Sequence, residues 1–264
     1  MKRNCKDNFD SVFLMGPTGS GKSDLALFLC QQFPFEIISV DSVLVYRDLN
    51  IGAAKPTPIE RRKVPHHLLD LCDLDEQYSV AKFCIDASRA VKIIEGKGKI
   101  PLFVGGTGLY FRRLVDGIMD LPISNKEVRS RLIDEINRNG TEKMHQRLRT
   151  LDGYASTKIH VNDRQRILRA LEIYETTGET ASSLKKKENK KQCKISPLKI
   201  LVYQQDRIEA KRVIASRFCA MLDNGLVNEV RSIKERFNLS NPPVPLRTIG
   251  YKQVWKYLDG EIDF

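Results

Sequence analysis

The stretch Gly16-Pro-Thr-Gly-Ser-Gly-Lys-Ser23 decides the fold of this chain. It fits the pattern G-x-x-x-x-G-K-[ST] and stands between a predicted strand at residues 12–15 and a predicted helix at 23–32. Glycines let successive backbone N–H groups converge on phosphate oxygens, and the helix N-terminus adds positive potential. Lys22 supplies a full charge, and the Ser23 hydroxyl is suited to bind Mg²⁺. The loop predicts a di- or triphosphate site without saying which phosphate binds.

The residues around this loop predict a parallel α/β sheet. Apolar strand patterns at 12–15, 35–40 and 100–104 alternate with helical patterns, and Ser79 is expected to cap one of the helices. A further strand is expected at 199–203, followed by two long helices and a last apolar segment, at 207–224, 226–237 and 254–258. The predicted fold class is α/β, with a P-loop NTPase-like parallel sheet flanked by helices.

The pattern changes after residue 117. Residues 121–194 contain no convincing strand and many Arg and Lys, and they predict three helices, at 126–137, 141–151 and 163–177. The stretch 185–194 has six lysines and one glutamate, which indicates an exposed loop. We therefore predict a helical insertion: a first part of the core at 1–116, the insertion at 117–194, and a second part of the core at 195–264.

Composition limits the class of protein. The chain has 264 residues, 41% hydrophobic and 29% charged, as expected of an ordinary globular protein, and a formal charge of +11 that favours polyanionic partners. No apolar run approaches the roughly 20 residues that cross a bilayer, and we expect a cytoplasmic protein without membrane contact. The six cysteines form no C-x-x-C pair, which favours reduced thiols over zinc ligands or disulfides.

Two further strand ends carry candidate catalytic groups. Asp41 follows the predicted strand at 35–40, and Val104-Gly-Gly-Thr107 follows the strand at 100–104. Ligands of open α/β sheets bind beyond the carboxyl ends of the strands, so we expect Asp41 and Thr107 to face the phosphate loop. Asp41 could bind Mg²⁺ through water or act as a general base, but Asp-Ser is also common turn chemistry. The Gly-Gly-Thr stretch could equally be a simple β-α turn.

Taken together, these motifs resemble those of the tRNA dimethylallyltransferase family. Beside the phosphate loop, the matching stretches run in the family's order, between residues 16 and 258: Ile38-Ser-Val-Asp-Ser42, Asp48-Leu-Asn-Ile-Gly-Ala-Ala-Lys-Pro56, Pro65-His-His-Leu-Leu-Asp70, Val104-Gly-Gly-Thr107, Asn162-Asp-Arg-Gln-Arg166, Arg169-Ala-Leu-Glu172 and Ile249-Gly-Tyr251. The resemblance implies transfer of a dimethylallyl group from dimethylallyl diphosphate to the N6 amine of the adenosine 3′ to the anticodon. It also implies Mg²⁺ as cofactor and the tRNA anticodon stem-loop as partner.

The resemblance also implies roles for individual residues. Asp41 corresponds to the general base, Thr107 to a contact of the target nucleotide, and Arg217 to an arginine near the diphosphate; with Lys22 these are the catalytic candidates. The diphosphate-binding candidates are Gly16, Pro17, Thr18, Gly19, Ser20, Gly21, Lys22 and Ser23, with Ser23 as the metal ligand. The tRNA-binding candidates are Asp41, Ser42, Val43, Leu44, Thr107, Arg129, Gln165, Arg166, Arg169, Arg247, Gly250 and Tyr251. Without the resemblance, the arginines of 164–169 would be taken for a solvated helix face.

Two other hypotheses stay open on the sequence alone. A kinase of nucleotides or small molecules would share the phosphate loop and the acidic residue at a strand end. A catalytically impaired tRNA-binding protein is the third hypothesis, because family members usually continue beyond Gly260-Glu-Ile-Asp-Phe264 into a basic helix that completes the core and contacts tRNA. Without that helix we expect lower stability and weaker tRNA affinity. We expect the protein to be a monomer.

Overall fold

The computed structural model describes residues 9–117, 121–122, 124–187, 195–237 and 242–263. The chain forms two compact units, one of Met1–Gly117 with Gln192–Phe264 and the other of Ile118–Lys191. The described part of the first unit contains one parallel sheet of five strands in the order β3-β2-β4-β1-β5. The strands are β1 (Ser11–Met15), β2 (Phe35–Val40), β3 (His66–His67), β4 (Ile100–Gly105) and β5 (Pro197–Leu201).

Helices connect the strands of the first unit and form the described part of the second. In chain order they are α1 (Lys22–Gln32), α2 (Pro58–Lys63), α3 (Val80–Gly96), α4 (Gly108–Asp116), α5 (Lys126–Leu151), α6 (Gly153–Lys158), α7 (Arg164–Thr177), α8 (Ala181–Lys187), α9 (Arg207–Asp223), α10 (Leu226–Arg236) and α11 (Tyr251–Leu258). A 3₁₀ turn, Val244–Arg247, precedes α11. In the described ranges, no helix is both long and apolar enough to cross a membrane.

The register of the central strands brings three loops together. Met15 and Val40 both pair with Gly105, so the carboxyl ends of β1, β2 and β4 lie side by side. A side chain at Gly105 would place its Cβ 2.1 Å from the Val40 carbonyl oxygen, and only glycine fits there. The chain segments that leave these three strands therefore start from one edge of the sheet.

The predicted fold class is confirmed, and most predicted elements are present. The predicted helices at 126–137 and 141–151 correspond to the two segments of α5, which Gly140 separates with a φ of 82°. Strand β5 begins and ends two residues earlier than predicted. It is an edge strand whose apolar side chains are largely exposed, so the apolar pattern does not define its ends. The short elements α2, β3, α4, α6 and α8 were not predicted.

The prediction of a loop at 185–194 is wrong for its first three residues. Residues 185–187 continue α8, which begins after Thr180 with hydrogen bonds from Ser183 N to Thr180 Oγ1 and from Leu184 N to Thr180 O. Lysine is a good helix former, so a lysine run does not by itself exclude a helix. The rest of the predicted loop, 188–194, lies outside the described residues.

A buried carboxylate ties the amino end of β2 to its surroundings. The side chain of Glu36 is 1% exposed; its oxygens lie 2.8 Å from His67 Nε2, 2.9 Å from Lys99 Nζ and 3.1 Å from Lys97 Nζ. Burial by itself would raise the pKa of Glu36, but the hydrogen bonds from these three groups lower the pKa to about 2. The ionised carboxylate therefore stabilises the folded state.

Glu36→Gln should lower the free energy of unfolding by about 1–3 kcal/mol at pH 7, since it leaves three donors around a neutral amide. A pKa lowered from 4.5 to about 2 means that the contribution is present above pH 4.5 and is lost as the pH falls towards 2. The difference between wild type and variant should therefore shrink below pH 4.5. Urea unfolding across this range measures it, with the exposed Glu95→Gln as control; equal midpoints at pH 7 would contradict the prediction.

Candidate functional site

A cavity of about 480 Å³ lies in the first unit, at the carboxyl ends of the strands. Its walls come from the segments that follow β1, β2 and β4, from α9 and from the turn before α11. The volume lies within the roughly 300–1,000 Å³ usual for small-molecule sites. Lys22, Asp41 and Arg217 all line this cavity, so three of the four catalytic candidates are brought together.

The phosphate loop leaves its amides open to a ligand. Gly19 and Gly21 have φ values of 79° and 82°, in the left-handed region that favours glycine. Helix α1 begins at Lys22 directly after Gly21, with no side chain capping its first turn. Gly16 is also required, because a Cβ there would lie 2.0 Å from the Val202 carbonyl oxygen. The uncapped N–H groups are available for an anion.

Lys22 and Arg217 place two positive charges at this cavity. Lys22 Nζ donates to the Pro17 carbonyl and, at 3.2 Å, to Ser20 Oγ, so the side chain folds back on its own loop. Burial lowers the pKa of Lys22, the positive charge of Arg217 lowers it further, and Asp41 acts in the opposite direction. An anion bound between the two cations would remove this repulsion, which makes the cavity suited to a diphosphate.

The Asp41 carboxylate accepts bonds from the backbone and also lines the cavity. Its Oδ1 accepts hydrogen bonds from Val43 N at 2.7 Å and Leu44 N at 3.3 Å, so it closes the turn after β2. No donor within the described residues contacts Oδ2. One oxygen fixes the carboxylate, and the other can accept a proton.

Thr107 is not placed with the other catalytic candidates. Its backbone N–H donates to the Val40 carbonyl at 3.3 Å, and it precedes α4 without a side-chain capping bond. Gly105 and Gly106, rather than Thr107, form the wall of the cavity after β4. Thr107 therefore follows the strand tip without forming part of the cavity wall, and its contact with the target nucleotide stays a prediction.

The tRNA-binding candidates of the first unit fall into three groups. Val43, Leu44 and Gly250 line the cavity, while Ser42 and Arg247 are exposed. Tyr251 is fully buried: its hydroxyl donates to Glu229 Oε1 at 2.7 Å and accepts from Ala53 N at 3.2 Å. The prediction that Tyr251 contacts tRNA is wrong for its side chain, since these bonds and its packing hold it inside the core.

The second unit holds its tRNA-binding candidates on α5 and α7. Gln165 and Arg166 are exposed at the start of α7, whereas Arg129 and Arg169 pair with the buried Glu172 at 3.1 and 3.2 Å. Burial by itself would raise the pKa of Glu172, but hydrogen bonds from Ser124 and Arg169 lower it. The side chains of Arg129 and Arg169 are 38% and 33% exposed, so both remain partly accessible from the surface of the second unit.

Two residues that line or support the cavity were missed by the sequence interpretation. Glu229 on α10 accepts the backbone N–H groups of Asn50, Ile51 and Gly52, at 3.1, 2.8 and 3.3 Å. These partners lie 177–179 residues away in sequence, so no local pattern marks Glu229. Lys55, which lines the cavity and bonds Asp70 at 2.7 Å, belongs to a matching motif and could have been singled out.

The residues present are suited to Mg²⁺ together with a phosphate ligand. Mg²⁺ takes oxygen ligands and keeps several waters, so the Ser23 hydroxyl and the free oxygen of Asp41 are an adequate protein contribution. In the described part of the chain, no three His, Cys, Asp or Glu side chains form a metal cluster. The Ser39 hydroxyl is buried in the cavity wall without a partner among the described residues, as expected if a polar ligand or water completes the site.

A parallel sheet with a phosphate loop after β1 and a carboxylate after β2 defines a P-loop α/β enzyme. The sequence model of the family described as "IPP transferase" matches residues 44–264. The chain belongs to this family.

Curated relatives and solved structures agree with this assignment. A tRNA dimethylallyltransferase of Vesicomyosocius okutanii is 42% identical over 96% of this chain and 82% of its own length; one of Coxiella burnetii is 44% identical over 96% and 81%. A Bacillus halodurans tRNA isopentenylpyrophosphate transferase superposes with a TM-score of 0.65 at 30% identity, over 97% of this chain and 79% of its own. A eukaryotic dimethylallyltransferase described as acting on tRNA gives 0.77 at 29% identity, over 96% and 64%. The family resemblance is confirmed, and prenyl transfer is favoured over the kinase hypothesis.

Tyr251→Phe should lower the free energy of unfolding by about 1–2 kcal/mol, since it leaves the partly buried Ala53 N–H without its acceptor and removes a donor from Glu229. Thermal or urea unfolding measures the change. Tyr203→Phe is the matched control, because Tyr203 is 58% exposed. An unchanged midpoint for Tyr251→Phe would show that the buried hydroxyl has no structural role.

Proposed function

We propose that the protein transfers the dimethylallyl group of dimethylallyl diphosphate to the N6 amine of the adenosine 3′ to the anticodon in tRNA, releasing diphosphate. One observation carries the proposal: open loop amides, two cations and a carboxylate oxygen that accepts from no donor among the described residues share one cavity. The relatives named tRNA dimethylallyltransferases, and the solved neighbour described as acting on tRNA, support the choice of substrates. With tRNA as acceptor, the expected place of action is the cytoplasm.

The side of the cavity that carries Lys22 and Arg217 is suited to stabilise the diphosphate as it leaves. As the bond between the allylic carbon and the diphosphate oxygen breaks, negative charge builds on the diphosphate. The loop amides, Lys22 and Arg217 all lie at this cavity and can neutralise that charge, which lowers the barrier. Magnesium, held through the Ser23 hydroxyl, supplies further neutralisation when bound.

Asp41 is suited to act as the general base for the acceptor amine. The N6 nitrogen forms a bond to the allylic carbon and must lose one proton, which passes to Asp41 Oδ2. The amides of Val43 and Leu44 hold Oδ1, so the accepting oxygen keeps its position during the reaction. Fixing a general base in this way contributes to catalysis through proximity and orientation.

Asp41→Asn is the sharpest test of this assignment. Asparagine keeps an oxygen that accepts from Val43 and Leu44, but it cannot take a proton, so kcat should fall by about 10²–10⁴-fold with tRNA affinity unchanged. Transfer of label from dimethylallyl diphosphate to unmodified tRNA measures it, with labelled ATP in parallel and the exposed Asp75→Asn as control. Label transferred from ATP would favour a kinase; tRNA binding without turnover in the wild type would favour the non-catalytic hypothesis.

Binding of dimethylallyl diphosphate should weaken as the pH rises through the lowered pKa of Lys22, because the neutral amine loses its attraction for the diphosphate. The weakening should start at a lower pH than for an ordinary lysine. Lys22→Arg, whose guanidinium stays charged, should remove this pH dependence even if it binds less tightly. Calorimetric titration without tRNA from pH 7 to 10 tests it; the same pH profile in both proteins would contradict the role of Lys22.

A further inference from the structure

Lys55 is a buried lysine in the wall of the cavity whose donors are all used by the protein. Its side chain is 2% exposed, and its ammonium donates to Asp70 Oδ1 at 2.7 Å and to the carbonyls of Tyr46 and Arg47 at 2.6 and 3.2 Å. An ammonium has three N–H groups, and these three bonds account for all of them. Lys55 therefore lines the cavity without offering a donor to the diphosphate.

Asp70 links Lys55 to Arg61. Its second oxygen, Oδ2, accepts from Arg61 Nη1 at 2.6 Å, and Arg61 Nε donates to the Pro56 carbonyl at 2.9 Å. Pro56 directly follows Lys55, so the bonds close a ring. Lys55, Asp70 and Arg61 thus form an ionic network that ties the cavity wall at 52–56 to helix α2 and to the segment after β3.

Strained backbone surrounds this ionic network. Ala54, Leu68 and Asp70 have φ values of 47°, 63° and 56°, and in the described ranges they are the non-glycine residues with positive φ. Such conformations cost free energy and persist only where surrounding contacts enforce them, which is common at functional sites. The bonds of the ionic network therefore hold the segments at 54–55 and 68–70 in shapes that the backbone alone would not favour.

The ionic network is connected to the turn that carries Asp41. Asp70 N donates to the Leu44 carbonyl at 3.3 Å, and Leu44 N donates to Asp41 Oδ1 at 3.3 Å. Lys55 binds the Tyr46 carbonyl two residues further along the same segment. The turn that fixes the Asp41 carboxylate is thus bonded to both Lys55 and Asp70.

We infer that the ionic network positions Asp41, because it holds the turn after β2 so that Oδ2 meets the N6 amine. Its three members are positioning residues and do not contact the substrate. The inference rests on the proposed function, since Asp41 is the general base only in that reaction. Displacement of a reacting group by about 1 Å can lower the rate about 10²-fold, so residues outside the chemistry can control kcat. In the described part of the chain, the network makes no hydrogen bond to the phosphate loop or to Arg217, so binding of dimethylallyl diphosphate should depend on it little.

Asp70→Asn removes the charge and keeps the backbone preference, since asparagine, like aspartate, accepts a positive φ. The kcat of prenyl transfer should fall about 10–100-fold, with the KM for dimethylallyl diphosphate within about twofold of wild type. Arg61→Gln, which leaves the bond between Lys55 and Asp70 intact, should lower kcat less. Asp73→Asn is the matched control: Asp73 pairs with Arg47 in the same region, but both side chains are half-exposed, so neither constant should change.

A double variant separates positioning from a general loss of stability. If the network acts through Asp41, Asp70→Asn should lower the residual single-turnover rate of Asp41→Asn by less than about threefold, because the base is already absent. Equal reductions in the two backgrounds would overturn the inference, as would a wild-type kcat in Asp70→Asn.

Hydrogen exchange tests the network without substrate. In Asp70→Asn, exchange of the Val43 and Leu44 amides should accelerate about tenfold more than exchange of the amides in β1 and β4, because the turn is loosened locally. No acceleration at 43–44, or the same factor in the turn and in the sheet, would contradict positioning by the network. Absence of prenyl transfer in the wild type would instead count against the proposed function, and the exchange measurement would still test the network.

Discussion

The parallel register of β1, β2 and β4 is the constraint on which the site depends. Because Met15 and Val40 both pair with Gly105, the phosphate loop and the segment carrying Asp41 must leave the sheet at the same edge. Gly105 makes this pairing possible, since any side chain there would collide with the Val40 carbonyl. The distance between the anion-binding amides and the carboxylate is thus set by backbone hydrogen bonds, which are more rigid than loops.

The positive charges at the cavity would be stabilised by a bound anion. Lys22 and Arg217 repel each other, and the first turn of α1 has no side-chain cap. In a structural helix these features would cost stability, because capping residues normally satisfy such amides. Glu36 and Glu172 show the opposite arrangement, with each buried carboxylate surrounded by donors. Within the described residues, the charges that hold the fold are paired, whereas Lys22 and Arg217, at the proposed diphosphate site, form no ion pair.

Local patterns predicted what depends on local physics. The phosphate loop, the buried strands and the break at Gly140 follow from residue type and spacing, and all three were recognised. Tyr251 and Thr107 were assigned from their motifs, but whether a side chain faces a cavity depends on neighbours distant in sequence. The Tyr251 hydroxyl contacts Ala53 and Glu229, and Glu229 also binds a loop 177–179 residues away. Such contacts leave no periodic signal in the sequence. The sequence therefore identifies the motif but does not predict which way its side chains face.

The same long-range contacts explain why the motif at 48–56 belongs to the site although none of its residues is among the catalytic candidates. Glu229 and Tyr251 hold the backbone of 50–53, and Gly52 has no room for a side chain because the Tyr251 ring lies 2.6 Å from the position of a Cβ. Gly52, Ala53 and Lys55 then form a wall of the cavity that contains Asp41. Because α10 and α11 hold this wall, the shape of the cavity depends on the last part of the chain as well as on the phosphate loop. A change in either helix should therefore alter substrate binding without touching a catalytic group.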